Sequence, residues 1–439
     1  MDRIAKVVVL GGGGREHAIG SKLALSPEVS EVLYAPGNAG TALEDKGSNA
    51  YNRRNEPLAC KSTEDFPEVL DLISRESIDL AVVGPENLLE LGLVDYLNAN
   101  GYHRVFGPTQ AAAKVETDKF LSYSWMSSAN IPQAYSEKCG SVREAMAKLS
   151  RWPTEAIVVK AKGLASGKGV IVCDSKDQAD KAIKKIAELY GQEILLAERL
   201  TGPEVSLFTL CDGKNAVPFL CSVQDHKPVF DNDHGSNTGG MGAYGPVPLA
   251  PADTIIDLSE KIVGRLISKM AMCGIEYRGF LYTGLMMTAQ GPKVLEFNAR
   301  LGDPEAQVLM MLLKTDLYQA ISMALDQKLK GFDLEFYPGA ACCVVMASPG
   351  YPDKYKTGMP ISGLEQVAAM PGVKVFHSGT AFDENRRIVT AGGRVVGVTA
   401  TGPDLRAAIE LAYQAVPLIK FEGGSHYRHD IGAKALRAE

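Results

Sequence analysis

The sequence predicts an α/β protein that begins with a parallel sheet and ends in a smaller, strand-rich domain. Strand-like and helix-like segments alternate through roughly the first hundred residues, the texture changes after Pro108, and strand patterns dominate after about Phe332. Valine-rich strands that alternate with helices are typical of a parallel sheet covered on both faces. We therefore predict domains over residues 1–108, 109–332 and 333–439.

Length and composition set the class of protein. The chain has 439 residues, 46% of them hydrophobic, which is enough for more than one packed core, and its net charge of −6 disfavours nonspecific nucleic-acid binding. We expect neither a signal peptide nor a membrane anchor at the N-terminus, and no apolar run reaches the roughly 18 residues of a membrane span, so no membrane partner is expected. Eight scattered cysteines without a C-x-x-C pair disfavour zinc and disulfides and indicate a cytoplasmic protein.

The first domain is predicted element by element. The strands are "AKVVVLG", "EVLYAPG", "DLAVVGP" and "RVFGP". The helices are the stretch after Gly14, "FPEVLDLISRES" and "LLELGLVDYLNANG". Ligands of such sheets bind at the carboxyl ends of the strands, which here are Gly11 to Gly14, Pro36 and Gly84.

The middle domain begins with a helical stretch that contains "ETDKFLSYSW". Two strands joined by a glycine-rich loop follow in "AIVVKAKGLASGKGVIVC", then a capped helix in "DSKDQADKAIKKIAELYG". "EILLAERLTGPEVSLFTLCDG" indicates two strands with a break, and residues 214–222 another strand. "DHGSNTGGMGAYGPVP" is predicted to be an irregular functional loop. A helix over 254–272 and the paired strands "FLYTGLMMT" and "PKVLEFNAR" complete the domain.

The glycine run at residues 11–14 indicates an anion site. A strand, a glycine loop and a helix start expose backbone N–H groups at the positive end of the helix. The dinucleotide fingerprint G-x-G-x-x-G fails, because Glu16 and His17 stand where its third glycine would be, and no acidic residue ends the second strand. We expect the phosphate of a smaller ligand beside Arg15; a merely tight turn is the alternative.

A second glycine cluster, "KGLASGKG", covers residues 162–169. Its spacing does not match the Walker A motif, and strands flank it on both sides. A flexible hairpin tip with a lysine suits a lid over a triphosphate, and Lys160 on the preceding strand would point at the same phosphates. A plain surface hairpin is the alternative.

"LEFNARLGDPE" carries the oxygen ligands expected of a metal site. Glu296 and Asn298 are two residues apart on a strand and therefore share a face, which suits Mg²⁺ held partly by nucleotide phosphates. A solvated acidic face is the alternative. In "AERLTGPE", the backbone after Glu198 could present hydrogen-bonding groups to an adenine, and Glu204 could accept from ribose hydroxyls.

In this order the motifs have a recognisable form. The middle segment resembles the ATP-grasp superfamily, and "GGGGREHA", "KGLASGKGV", "NTGGMGAYGP" and "RLGDPEAQ" resemble the phosphoribosylamine–glycine ligase family within it. The resemblance covers nearly the whole chain. It implies a Rossmann-like, pre-ATP-grasp first domain, a two-part ATP-grasp domain with a lid at about 125–195, and a small C-terminal domain.

The resemblance also implies a reaction and its residues. It implies that ATP drives the joining of glycine to 5-phosphoribosylamine through a glycyl phosphate, with Mg²⁺ or Mn²⁺ as cofactor, in purine biosynthesis. The implied catalytic residues are Arg300, Lys160 and Asp225. The implied ATP-binding residues are Lys119, Lys160, Gly163, Ser166, Gly167, Lys168, Glu198, Arg199, Leu200 and Glu204. The implied substrate-binding residues are Gly12, Gly13, Gly14, Arg15, Glu86, Asn237, Gly239, Gly240, Asp303, Pro304 and Glu305, and the metal ligands are Glu296 and Asn298.

Three residues depart from the family pattern: Lys162, where an acidic residue is usual, Ser236, where proline is usual, and Ala197 in place of a glutamate. The strand "FLYTGLMM" also lacks a further acidic metal ligand that many ATP-grasp enzymes have. Handover of unstable phosphoribosylamine from the enzyme that makes it is compatible with the resemblance, although no residue indicates it.

Rival functions remain open at this stage. Another ATP-grasp carboxylate–amine ligase or a biotin-dependent carboxylase is the first alternative, and "RLGDPE" opposes the carboxylase. The broken fingerprint opposes a nicotinamide-dependent dehydrogenase. A non-catalytic nucleotide-binding regulator would be expected to lack the lysines or the metal pair.

Overall fold

The computed structural model describes residues 4–43, 52–165 and 168–436. The first part of the chain forms a five-stranded parallel sheet of order β3-β2-β1-β4-β5. Its elements are β1 (Ala5–Gly11), α1 (Gly14–Leu23), β2 (Val29–Pro36), α2 (Ala39–Leu43), β3 (Asn52–Asn55), α3 (Phe66–Glu76), β4 (Leu80–Val83), α4 (Glu86–Leu91), α5 (Leu93–Ala99) and β5 (Val105–Phe106).

Both faces of this sheet are covered, as the sequence predicts. Val8 and Leu10 of β1 pack into one hydrophobic cluster, and Val7 and Val9 pack into another. All four side chains are fully buried. Because successive side chains of a strand point to opposite faces, β1 is sandwiched between two cores, and its carboxyl end at Gly11 is held rigidly.

The next segment contains two four-stranded antiparallel sheets and a two-stranded sheet of Pro228–Phe230 and His234–Asn237. Its first half contains α6 (Gln110–Thr117), α7 (Lys119–Ser128), β6 (Ser136–Cys139), α8 (Val142–Ser150), β7 (Ile157–Ala161), β8 (Val170–Cys173), α9 (Lys176–Tyr190) and β9 (Ile194–Glu198). The sheet of order β6-β9-β7-β8 has a hydrophobic core of its own under α8 and α9. Ser175 caps α9 by accepting from the Gln178 N–H, so the predicted cap is confirmed.

The second half contains β10 (Glu204–Asp212), β11 (Ala216–Pro218), β12 (Gln224–Asp225), β13 (Pro228–Phe230), β14 (His234–Asn237), β15 (Gly242–Gly245), α10 (Ala252–Leu258), α11 (Arg265–Met272), β16 (Arg278–Thr288), β17 (Gly291–Asn298), α12 (Glu305–Leu312) and α13 (Leu317–Leu325). The sheet of order β11-β10-β16-β17 presents the end of β17 to the site. A π-helical turn, Ser259–Gly264, joins α10 to α11, so the predicted helix is continuous with a local bulge.

The last part contains β18 (Ala340–Ala347), β19 (Ile361–Ser362), α14 (Leu364–Ala368), β20 (Val373–His377), β21 (Thr380–Phe382), β22 (Ile388–Thr390), β23 (Arg394–Gly402), α15 (Leu405–Ala415), β24 (Lys420–Phe421) and α16 (Ala433–Leu436). Its main sheet has the order β12-β15-β18-β23-β20. Two strands of this sheet therefore come from the preceding segment. The predicted strand-rich ending is confirmed.

The structure corrects three predictions about elements and adds one strand that was not predicted. The expected irregular loop around residues 233–248 contains β14 and β15, because β15 gains a partner in β18 that the local sequence does not reveal. "LLELGLVDYLNANG" is two helices broken at Gly92, whose φ is +86°. The strand expected over 214–222 shortens to Ala216–Pro218. The edge strand β3 consists of polar residues, so no alternation of apolar residues predicts it from the sequence.

All eight cysteines are free, and six of them are buried. Among the described residues, no helix combines the length and the apolar character that spanning a membrane would require.

Candidate active site

A cavity of about 410 Å³ lies where the three parts of the chain meet. Of the predicted site residues, those that line it are Arg15, Glu86, Lys119, Lys160, Asp225, Gly239, Glu296, Asn298, Arg300, Asp303 and Glu305. Those that do not line it are Gly12, Gly13, Gly14, Gly163, Lys168, Glu198, Arg199, Leu200, Glu204, Asn237, Gly240 and Pro304. Ser166 and Gly167 lie outside the described residues.

The end of β17 supplies two oxygen-bearing side chains. Glu296 and Asn298 both line the cavity, as the two-residue period of a strand requires. The Asn298 side-chain amide donates to the Phe297 carbonyl at 2.9 Å, which leaves its own oxygen available. Although burial acts to raise the pKa of Glu296, Lys227, Lys160 and Lys119 lower it, so this carboxylate is charged at neutral pH.

Two lysines face these oxygens from the lid side. The Lys160 Nζ donates to the Leu295 carbonyl at 3.1 Å and so reaches from β7 across to β17. The Lys119 Nζ, at the start of α7, donates to the Gly163 carbonyl at 2.9 Å. Burial lowers the pKa of both lysines, and the Glu296 carboxylate opposes the shift. Each lysine ammonium group and the Glu296 carboxylate therefore stabilise each other's charged form.

The loop between β7 and β8 lies over the cavity. Leu164, Ala165 and Gly169 line it, and the Lys168 Nζ donates to the Pro352 carbonyl at 3.4 Å. Lys162, which departs from the family pattern, pairs with Glu193 at 2.9 Å on the outer side. Its extra positive charge is therefore neutralised away from the cavity.

The predicted adenine hinge follows β9 but does not line the cavity here. Glu198 Oε2 accepts from the Tyr135 N–H at 3.2 Å and from Lys293 at 3.4 Å, and Arg199 pairs with Asp174. Ala197 is buried in β9, and Ser236 is exposed on β14.

The glycine loop packs against protein backbone. A side chain at Gly12 would place its Cβ 2.5 Å from the Gly37 carbonyl oxygen. The Gly13 N–H donates to Glu16 Oε2 at 2.8 Å, and Glu16 Oε1 accepts from the Arg15 Nε at 2.6 Å. The bare backbone thus allows two loops to approach closely. Arg15, directly after the glycines, lines the cavity.

The turn "RLGDPE" connects all sides of the site. Arg300 Nε donates to Glu86 at 3.2 Å, and its Nη2 lies 3.2 Å from Glu116 Oε1. Asp303 Oδ1 accepts from Gln307 at 2.8 Å, and its Oδ2 lies 3.3 Å from the Arg394 Nη2. The turn therefore joins α4, α6 and β23 to the end of β17.

Asp225 and Glu305 form an acidic pair at the opposite wall. Asp225 Oδ1 is buried and has no hydrogen-bond partner among the described residues. Burial and the nearby Glu305 raise the pKa of Asp225 well above its usual value, and burial raises that of Glu305. A buried carboxylate without a partner is costly, so this wall suits a cationic or hydrogen-bond-donating ligand.

Several lining residues were not predicted from the sequence, among them the charged or polar Glu116, Lys227, Tyr351 and Arg394. Lys227 donates to Glu204 at 3.0 Å, and although burial acts to lower its pKa, Tyr282, Glu204 and Glu296 raise it. Its place two residues after Asp225 was a usable signal, whereas the other three sit in no local motif. Arg394 donates to the carbonyls of Gly239 and Asp303.

Three family models match successive parts of the chain. They are described as the phosphoribosylglycinamide synthetase N domain, over residues 5–116, its ATP-grasp (A) domain, over 117–306, and its C domain, over 341–434.

Named relatives match nearly the whole chain. The phosphoribosylamine–glycine ligase of Chlorobaculum tepidum is 44% identical over 436 residues, which are 98% of this chain and 100% of that protein. The trifunctional purine biosynthetic protein adenosine-3 of Homo sapiens is 42% identical over 98% of this chain, which corresponds to 42% of that longer protein.

Solved structures share the fold. The phosphoribosylamine–glycine ligase of Thermotoga maritima has a TM-score of 0.81 at 32% identity, over 97% of this chain and 100% of that one. The biotin carboxylase domain of 2-oxoglutarate carboxylase from Hydrogenobacter thermophilus, a complex with MgADP, ADP and bicarbonate, has a TM-score of 0.70 at 14% identity, over 97% of this chain and 92% of that one. The second likeness shows the fold alone.

Proposed function

We infer the reaction from one premise: the chain belongs to the phosphoribosylglycinamide synthetase family. It is a carbon–nitrogen ligase that joins glycine to 5-phosphoribosylamine in purine biosynthesis and uses ATP. At the level of residues, the assignment is supported by one cavity that Lys160, Glu296 and Arg300 all line.

The ligation needs an activated carboxyl group, and we propose a glycyl phosphate. A carboxylate oxygen of glycine attacks the γ-phosphorus of ATP, the bond to the bridging oxygen breaks, and ADP leaves. The amine nitrogen of phosphoribosylamine then attacks the acyl carbon, the carbon–oxygen bond to phosphate breaks, and the nitrogen loses a proton. Both steps require charge neutralisation and the exclusion of water.

The chain's own residues meet these needs. Lys119 and Lys160 lie on the lid side of the cavity and would hold the phosphates, and Arg300 would neutralise the transferring group. The loop of Leu164 and Ala165 covers the same space and would keep water out. Arg15, which lines the cavity beside the glycine loop, suits the ribose phosphate, and the wall of Asp225 and Glu305 suits the amino groups.

Glu296 and Asn298 would hold a divalent cation. One carboxylate and one free amide oxygen on the same face are hard donors that suit Mg²⁺ or Mn²⁺, and phosphate oxygens would complete the shell. Among the residues that the structure describes, no group of three or more acidic, histidine or cysteine side chains forms a metal cage. When bound, the cation supplies charge neutralisation on the phosphates.

We also propose a cytoplasmic location, because eight free thiols suit a reducing compartment.

An omission series tests the reaction. We expect phosphate release only when ATP, Mg²⁺, glycine and phosphoribosylamine are all present, because the proposed acyl phosphate forms from glycine and releases phosphate when the amine attacks it. Release of phosphate from ATP with glycine left out, at the same rate, would contradict the assignment and indicate a simple ATPase.

Replacing a metal ligand tests the site. Glu296→Ala should abolish turnover, while its thermal unfolding stays close to that of the wild type, because it removes the one carboxylate of the proposed cation site. Glu335→Ala, at an exposed ion pair with Lys314, is the matched control and should keep full activity. Turnover by the Glu296→Ala enzyme would refute the metal assignment.

A further inference from the structure

Glu116 is the second-last residue of α6, and the sequence motifs assign it no role in the site. Its side chain is 5% exposed. Its two carboxylate oxygens have separate partners: Oε2 accepts from the Ala299 backbone N–H at 2.6 Å, and Oε1 lies 3.2 Å from the Arg300 Nη2. One buried side chain thus contacts two consecutive residues at the end of β17.

These contacts determine where Arg300 points. Glu86 accepts from the Nε at 3.2 Å, the Leu301 carbonyl accepts from the Nη1 at 3.3 Å, and Glu116 contacts the Nη2. All three nitrogens of the guanidinium are therefore engaged. Glu86 is shared with Arg15, at 3.5 Å, and is more exposed than Glu116. Glu116 joins the guanidinium to the Ala299 N–H, directly after the end of β17.

We propose that Glu116 is the positioning residue for Arg300: its carboxylate holds the guanidinium against the end of β17, at the place where the phosphoryl group is transferred. The Ala299 bond matters because Ala299 lies between Asn298 and Arg300, so one carboxylate aligns the metal-ligand strand and the charge-neutralising arginine together. This inference rests on the function proposed for the cavity.

The charged form of Glu116 is costly at this buried position. Burial raises its pKa to about 7, with Arg300 acting in the opposite direction and Glu86 adding to the rise. Arg15, Lys119 and Tyr277 also interact with it. A buried carboxylate is weak support for stability, because desolvation offsets much of its attraction to the arginine. Holding the Arg300 guanidinium in place for catalysis explains why a carboxylate stands here, whereas packing does not.

A double-mutant cycle tests the proposal. Glu116→Gln keeps the volume and an oxygen for the Ala299 N–H, but it turns a charged acceptor at Arg300 into a neutral amide. We expect kcat to fall about 100-fold, because a misplacement of about 1 Å costs that much. The KM for ATP should change little. In an Arg300→Gln background, the same change should cost nothing further, because a residue that acts through Arg300 has nothing left to position.

The outcomes separate the alternatives. If the two losses multiply in the double variant, or if Glu116→Gln keeps the kcat of the wild type, Glu116 is not a positioning residue, while the proposed reaction stands. If the wild type fails the omission series, both fall. Glu31→Gln is the matched control, because Glu31 is also buried and paired with Lys6 and Arg54, far from the cavity, and it should keep full kcat. If the Gln variant does not fold, Glu116→Asp takes its place in the same cycle.

Discussion

Gly12 shows how a residue without a side chain shapes the site. It lies directly under the Gly37 carbonyl, so the loops after β1 and β2 touch through their backbones. The sequence predicted a phosphate loop here, and the structure adds that the missing side chains also make room for neighbouring protein. Directly after this loop, Arg15 donates to Glu16 and lines the cavity.

Gly12→Ala should raise the KM for phosphoribosylamine about tenfold, which corresponds to about 1.4 kcal/mol, because the new methyl group pushes the two loops apart and displaces Arg15. Initial rates at varied phosphoribosylamine, and separately at varied ATP, check this. The KM for ATP should stay unchanged, because Lys119 and Lys160, which we propose hold its phosphates, are not part of this loop. A rise in both constants would mean that the loop is not specific to the sugar phosphate.

The residues that the sequence could not identify share a physical cause. Arg394 and Tyr351 reach the cavity from the last domain, more than a hundred residues from the motif of Asp225, and no local spacing records that meeting. The acidic and amide oxygens of β17 were predictable, because strand periodicity alone places Glu296 and Asn298 on one face.

At the scale of elements, the glycines Gly92 and Gly264 have opposite effects on the helices that contain them. Gly92 separates α4 from α5 with φ at +86°, and the apolar pattern continues across it, which is why one helix was predicted. Gly264 lies in the helical stretch between α10 and α11 at φ −57° and does not break it. The pattern of apolar residues reports which face is buried, and the backbone of a single glycine decides where the axis turns.

These two glycines should respond oppositely to alanine. Gly92→Ala should lower the free energy of unfolding by about 1–2 kcal/mol, because alanine resists a left-handed conformation. Gly264→Ala should raise it by about 0.5–1 kcal/mol, because alanine suits a right-handed helix and no atom lies closer than 4.0 Å to its Cβ. Thermal unfolding midpoints check both, and shifts of the same sign would contradict the argument.

At the scale of the molecule, Arg428 joins the chain's last segment to the hairpin of β13 and β14. Its side chain is fully buried between Asp233, at 3.0 Å, and Asp430, at 2.7 Å, and its Nη1 donates to the Pro228 carbonyl. This hairpin leads directly into the Gly239 wall of the cavity. Although burial acts to raise the pKa of Asp430, its bonds to Arg428 and the Asn232 N–H lower it to about 2.

The lowered pKa predicts an acid-sensitive part of the stability. The contribution of Asp430 is present above its unfolded pKa near 4 and is lost as the pH falls through about 2. The free energy of unfolding of the wild type should therefore fall across this interval more steeply than that of Asp430→Asn. Urea titrations at several pH values measure this, and parallel curves for the two proteins would contradict it.

The sheet that joins β12 and β15 to β18 also bears on how the protein is made. Gly242–Gly245 leaves the ribosome long before its neighbour Ala340–Ala347 has been translated, so the edge of this strand that faces β18 stays unpaired while synthesis continues, although its other edge can already pair with β12. A nascent polypeptide can complete its first sheet early. The segment around β15 can pair with β18 only after residues 340–347 have emerged. A product that stops before β18 leaves an edge of β15 unpaired and lacks Tyr351 and Arg394, which line the cavity.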